Sequence, residues 1–345
     1  MWPRPGQNIQ IKTPDQIRVM REAGLVVAHT LRTLAAAVQP GVSTAELDVL
    51  AEHEIRTAGA TPSFKGYHGY PATICTSVNE EIVHGIPSPS RRLRDGDIIS
   101  IDCGAIVRGW HGDAAVTVGV GSISAEHAAL LKVCEAALWC GLAQARAGGR
   151  LGDISHAVET SIRAAGRYGL VEEYTGHGIG TAMHMDPPVP NHGRAGRGPR
   201  LRAGMALAVE PMVMLGGPET VLLDDGWTVV TADGSWAAHF EHTVAITADG
   251  PWVLTAEDGG TSGFAPASRR DDASTAGQHS GERRLGDTRK RDSASVPPTQ
   301  AGRQAGVGWS GEKGARCLLT RGSAPRTGIA IARRRCCAST TPRAG

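Results

Sequence analysis

The stretch "GDIISIDCGAIVRGWHGDAAVTVGVG", residues 96–121, decides the fold. It is rich in β-branched residues and reads as two strands joined by a tight turn around Arg108–Gly109. Asp102 lies in the first strand and Asp113 in the second, both in apolar surroundings. An aspartate in an apolar strand is disfavoured by propensity and by burial. The turn brings the two carboxylates close together on paired strands, where direct cross-strand neighbours lie about 5 Å apart and like charges repel. Protonating one carboxylate relieves that repulsion. A bound cation relieves it more strongly.

Two further segments repeat the pattern. Glu210 lies in "MALAVEPMVML", where Pro211 ends regular pairing, and Glu241 lies in "HFEHTVAIT". Strand alternation puts Glu241 on one face with Thr243, opposite Phe240, His242 and Val244. Each carboxylate alone reads as a strand-edge residue; four of them, spread over both halves of the chain, call for a common partner. The stretch "TGHGIGTAMHMDPP", residues 175–188, offers His177 and His184. Taken alone it is open between a metal ligand, a general acid/base pair and a mobile loop. With the carboxylates it supplies His177 to a set of two aspartates, two glutamates and one imidazole. Such oxygen-rich sets suit Mn, Fe, Co or Zn in a paired site.

Around these segments the chain reads as helix, helix, strands, twice over: residues 13–121 and 124–248. Thr13, Pro14 and Gln16 open the first helix, whose apolar face runs Ile17, Met20, Gly24, Val27, Leu31 and Leu34. Ser43 and Glu46 form the capping box of a second helix. A third is expected over Ala125 to about Ala147 and a fourth over about Asp153 to Ala165. Asp186 and the two prolines after it read as a turn leading away from the cleft. The order implies an α+β fold of two similar α/β halves enclosing a central site.

The 345 residues carry a formal net charge of +2, unevenly spread. Residues 260–345 hold 16 Lys and Arg against 6 Asp and Glu; the rest hold 20 against 28. That last part has almost no apolar periodicity, so a disordered basic tail is expected over 259–345, after a short arm at 1–12 and a catalytic domain at 13–258. Seven cysteines without a CxxC pair exclude a zinc ribbon and do not form a disulfide framework. Residues 1–16 lack the apolar core of a signal peptide, and no apolar run is long enough to span a membrane. A cytoplasmic protein is expected, with no membrane and no DNA partner.

The segments "GYHGYPATICTSVNEEIVHGIP", "LRDGDIISIDCGAIVRGWHGDAAVTV", "TGHGIGTAMHMDPP", "LAVEPMVM" and "FEHTVAIT", in that order, resemble the type I methionine aminopeptidases of the pita-bread fold. The resemblance spans most of residues 13–250, and the combination is far more specific than any one piece. It implies two pseudo-symmetric halves with a central curved antiparallel sheet. It also implies removal of the N-terminal Met of nascent polypeptides when the second residue is small, by a hydroxide held between two divalent metal ions. Asp102 would chelate one ion, Asp113 and Glu241 would bridge, and His177 and Glu210 would complete the ligand set of the second ion. Glu210 would shuttle the proton; His84 and His184 would hydrogen-bond the substrate. Tyr67, Tyr70, Cys75, Met183 and Trp227 match pocket-lining positions. His111 and His239, close to ligands in sequence, read as structural. A monomer is the default, with transient ribosome contact through the basic tail as an added option.

Three other readings compete. A proline-directed peptidase of the same fold would share all five ligands but would usually carry a separate N-terminal domain. A type II methionine enzyme would carry a helical insertion between His184 and Glu210, where only 25 residues intervene. A non-catalytic binding module, for instance a ribosome or RNA binder, would have lost ligands, and none is lost here.

Overall fold

The computed structural model describes residues 8–264. The expected basic tail, from residue 265 on, lies outside the described residues. Residues 259–264 are turns, with Phe264 edge-on to Trp139 at 5.4 Å.

Four helices occur in two pairs. The first pair is α1, Pro14–Ala37, and α2, Thr44–Thr57. Both start with the reciprocal capping box expected from sequence: Thr13 and Gln16 satisfy each other's amides, as do Ser43 and Glu46. The second pair is α3, Ala125–Leu142, and α4, Leu151–Ala165. α3 stops about five residues short of the expected end. Residues 143–146 close into tight turns instead, and Gly148 takes a positive φ of 92° that a helix cannot continue.

The central sheet has nine strands, all antiparallel. Its main path runs Thr61–Pro62, Ile98–Val107, Trp110–Gly119, Glu241–Ile246, Ala206–Val209, Gly176–Gly178 and Met185–Val189. Ile74–Val78 also pairs with Ile98–Val107, and Pro251–Val253 with Glu241–Ile246. The two ten-residue strands form an unbroken ladder closed at Arg108–Gly109, where both residues have positive φ.

One face of the sheet is apolar and carries the helices. Ile99, Ile101, Cys103 and Ala105 pack with Val27 and Leu34 of α1 and Leu47 and Ile55 of α2. Leu207, Val209, Val244 and Ile246 pack with Leu138 and Leu142 of α3 and Ile154 and Val158 of α4. Each half of the sheet therefore has its own helix pair. Because side chains alternate along a strand, Asp102, Asp113, Glu241 and Thr243 emerge on the opposite, curled face, while His242 stays on the helix face 5.1 Å from Trp139.

One sequence expectation fails. The prolines of "HMDPPV" belong to the strand Met185–Val189, not to a turn, and the Asp186–Pro187 bond is cis. This strand ends the main path of the sheet, so one side of its backbone needs no ladder partner and proline is tolerated there.

Candidate metal centre

The strand registers set the site out in two rows. In the first, Cys75 stands opposite Asp102, Asp102 opposite Ala115, and Ala115 opposite Glu241. In the second, Gly104 stands opposite Asp113. The Asp113 amide donates to Thr243 Oγ1 at 3.1 Å, and that hydroxyl donates back to the Asp113 carbonyl at 2.8 Å. Thr243 and His177 both pair with Ala208. Carboxylates or imidazole thus alternate with Ala115, Ala208 and Gly104, whose small size leaves space between the charged heads. Asp102 and Asp113 are diagonal neighbours and not directly opposed, because the turn at Arg108–Gly109 pairs Asp102 with Ala115. Diagonal pairs are wider, about 7–8 Å between backbones, which leaves room for an ion between them.

Glu210 enters from a break in the strands. Pro211 has no amide hydrogen, so the chain leaves the large sheet after Val209 and enters a small three-stranded one at Met212–Met214. Its partner segment breaks at the same level: Ala237–His239 lies in the small sheet and Glu241–Ile246 in the large one. The Glu210 carbonyl is held by Asn191 Nδ2 at 2.9 Å.

His177 Nδ1 lies 3.0 Å from the Gly178 carbonyl. A carbonyl only accepts, so Nδ1 carries the hydrogen and Nε2 presents a lone pair. Nε2 is 3.6 Å from Glu210 Oε1 and 3.9 Å from Asp113 Oδ2. Burial, with His184 adding to it, pushes the His177 pKa down to about 3, so the ring is neutral. Neutral imidazole with its second nitrogen fixed by a carbonyl is the ligand form. Burial and mutual repulsion push Asp113, Glu210 and Glu241 well above the usual carboxylate range; burial also raises Asp102.

These residues fit a divalent cation. Ligand atoms of Asp113, His177 and Glu241 all lie within 4.8 Å of one another. Asp102 Oδ1, Asp113 Oδ1 and Glu241 Oε1 are buried without a hydrogen-bond partner. Buried oxygens without donors need some other positive partner.

An apolar cluster adjoins the row through Cys75. Phe64, Tyr70, Ala72, Cys75 and Met183 form a buried cluster, with Tyr67, Ile86 and Trp227 packed against it. All five pocket residues expected from sequence are therefore together. Phe64 and Ile86 were not singled out; the only signal was that Phe64 is one of three phenylalanines, just before the glycine-tyrosine run. Tyr70 Oη lies 3.1 Å from the carbonyls of both Ile74 and Gly85, and its ring meets Trp227 edge-on at 5.0 Å.

His184 is exposed. Its Nδ1 is 2.9 Å from Tyr67 Oη, and its ring lies 4.3 Å from that of His177. His84 has a positive φ of 60° and meets Tyr174 edge-on at 5.9 Å; burial pushes its pKa down to about 4. Of the two histidines expected to be structural, His111 has Nδ1 3.0 Å from Ser63 Oγ and its amide donates to the Gly180 carbonyl. His239 has Nε2 3.8 Å from Glu210 Oε2.

A sequence profile for metallopeptidase family M24 matches residues 18–248. Methionine aminopeptidase 1 of Mycobacterium tuberculosis is 55% identical over 249 residues, 71% of this chain and 94% of the relative. Methionine aminopeptidase 1 of Bacillus subtilis is 52% identical over 244 residues, 71% of this chain and 98% of the relative. The crystal structure of methionine aminopeptidase from Thermotoga maritima superposes with a TM-score of 0.71 at 42% identity, covering 72% of this chain and all of the other. An Xaa-Pro dipeptidase from Bacillus anthracis shares the fold at 24% identity, with a TM-score of 0.57 over 72% of this chain and 62% of its own.

Proposed function

The chain belongs to metallopeptidase family M24, and from that premise we propose that it removes the N-terminal methionine of nascent polypeptides in the cytoplasm, when the second residue is small. The observation that carries the reading is the single face holding four buried carboxylates and His177 beside a pocket of aromatic rings and sulfur. Methionine is long, flexible and apolar, and Cys75, Met183, Tyr67, Tyr70 and Trp227 offer it polarisable contacts.

In this reading Asp102, Asp113, His177, Glu210 and Glu241 would hold two divalent ions, Fe, Mn, Co or Zn. Bound there, such ions supply Lewis acidity that polarises a carbonyl and makes water a nucleophile at neutral pH. The remaining steps fall to side chains. Glu210, whose carboxylate burial drives towards protonation, accepts a proton from the attacking water and passes it to the leaving amine. Tyr67 Oη lies 2.9 Å from His184 Nδ1; with Tyr67 as donor, the hydrogen of His184 is on Nε2, free to serve the substrate backbone. His84, neutral through burial, supplies a second donor. Every residue assigned here comes from one chain, so the reading needs no partner copy.

Asp113→Ala or Glu241→Ala should each lower metal-dependent release of Met from a Met-Ala-Ser peptide by at least about 1,000-fold, since each removes a metal ligand. Full activity in either variant, measured with added Mn²⁺ or Co²⁺, would refute the two-metal site.

A further inference from the structure

His239 lies outside the five ligands, yet its geometry points at one of them. Its side chain is buried, and among the described residues Nε2 has no hydrogen-bond partner. That atom lies 3.8 Å from Glu210 Oε2, roughly 0.9 Å beyond a hydrogen bond. The other oxygen of the same carboxylate, Oε1, faces His177 Nε2 at 3.6 Å. Glu210 thus turns one oxygen towards the ligand imidazole and the other towards His239.

The backbone of His239 is pinned from the opposite side. Thr117 Oγ1 donates to its carbonyl at 2.7 Å, and its amide donates to Thr117 Oγ1 at 2.9 Å. The single hydroxyl hydrogen of Thr117 is committed to that carbonyl, so the 2.8 Å contact with Ser100 Oγ must have Ser100 as donor. Ser100 and Thr117 are register partners in the central ladder. His239 itself pairs with Met212, two residues past Glu210. The ring is therefore carried on a fixed strand end.

We propose that His239 is a positioning residue for Glu210: its Nε2–H donates to Oε2 and fixes the carboxylate so that Oε1 is presented to the metal. A buried ring nitrogen that faces a carboxylate and lacks a hydrogen-bond partner among the described residues is satisfied when it carries the hydrogen and donates it there. The inference rests on the metal-centre reading of Glu210. It adds a sixth residue that touches neither metal nor substrate.

The test compares His239→Leu, which has no donor, with His239→Gln, whose amide retains one. Mn²⁺ binding is read by calorimetry without peptide, and Met-Ala-Ser turnover is read separately. The Leu variant should bind Mn²⁺ about 10-fold more weakly and lose about 10–100-fold in kcat with KM within about twofold, while the Gln variant recovers most of both. Leu binding Mn²⁺ as the wild type does, or Gln falling as low as Leu, overturns the proposal. Nitrogen-15 NMR of the wild-type protein loaded with Zn²⁺ tests it without any variant: His239 must appear as the Nε2–H tautomer, and the Nδ1–H tautomer overturns it. A wild-type chain that bound no metal would remove the metal centre and this inference together; a wild type that bound metal alongside an equally competent Leu variant would remove only the inference.

Discussion

At the scale of single residues, the site turns on which ring nitrogen of each histidine carries the hydrogen. His177 keeps its Nε2 lone pair because Gly178 takes the Nδ1 hydrogen. In the proposed reading His184 is the reverse case: Tyr67 Oη, 2.9 Å from Nδ1, donates to it and the hydrogen sits on Nε2. Tyr67→Phe keeps the ring in the pocket and removes only the hydroxyl. It should lower kcat about 10-fold through partial loss of one oriented donor, with KM and melting temperature almost unchanged; steady-state kinetics beside thermal unfolding check this. An equal rise in KM with constant kcat would mean that Tyr67 only lines the pocket. The four carboxylates of the candidate centre were legible in the sequence because a carboxylate in an apolar strand violates burial rules and stands out; His177 drew notice only beside them. His239 was not legible, because a histidine two residues from a glutamate breaks no rule. Only the break that turns the Ala237–His239 strand into a second sheet brings it to Glu210.

At the scale of elements, α1 lies on the sheet with almost nothing between the backbones. A Cβ placed on Gly24 would sit 2.2 Å from the Leu254 carbonyl oxygen, and one placed on Gly112 would sit 2.7 Å from the Gly24 nitrogen. Two glycines thus set the distance between helix and strand. Gly24→Ala poses opposing effects: alanine favours a helix by about 1 kcal/mol, and overpacking against rigid backbone costs about 1–3 kcal/mol or more. The clash is with main-chain atoms that cannot rotate away, so destabilisation should win by about 2 kcal/mol. Urea unfolding should show a lower midpoint with an unchanged slope; a midpoint equal to or above wild type would show that the helix shifts freely. The sequence placed Gly24 on the buried stripe, and both capping boxes were readable as local patterns. What it could not give was the end of α3, where no proline or cap residue marks Leu142, or the strand at Met185–Val189. There, two prolines spoke for a turn until the end position of that strand on the sheet's main path removed the objection.

At the scale of the whole molecule, two helix pairs back one curled sheet, and the seam between the halves concentrates like charge where the core is driest. Without metal this placement opposes folding, and the sign can be worked out from the pKa directions. Asp102, Asp113, Glu210 and Glu241 are all raised above their unfolded values, so their stabilising protons are present at low pH and lost as pH rises through the folded values. The lowered histidines, His84, His111, His177, His184, His239 and His242, act in the opposite sense, but only below the ordinary histidine range near pH 6.5. Lys12, lowered by burial to about 8, adds stability with pH only above that value. Between about pH 6.5 and 8 the carboxylates therefore dominate, and the metal-free protein should lose stability as pH rises. Asp48 and Glu81, also raised by burial, lie outside the ligand set and contribute alike with or without metal, so the difference between the two profiles isolates the site. A divalent ion that binds only the folded, ionised site stabilises by mass action and releases protons on binding, so its benefit grows with pH. Thermal unfolding across this window, after chelation and again with saturating Mn²⁺, should show a falling profile in the first case and a flat or rising one in the second. Parallel profiles would mean that the four carboxylates are not what the cation holds.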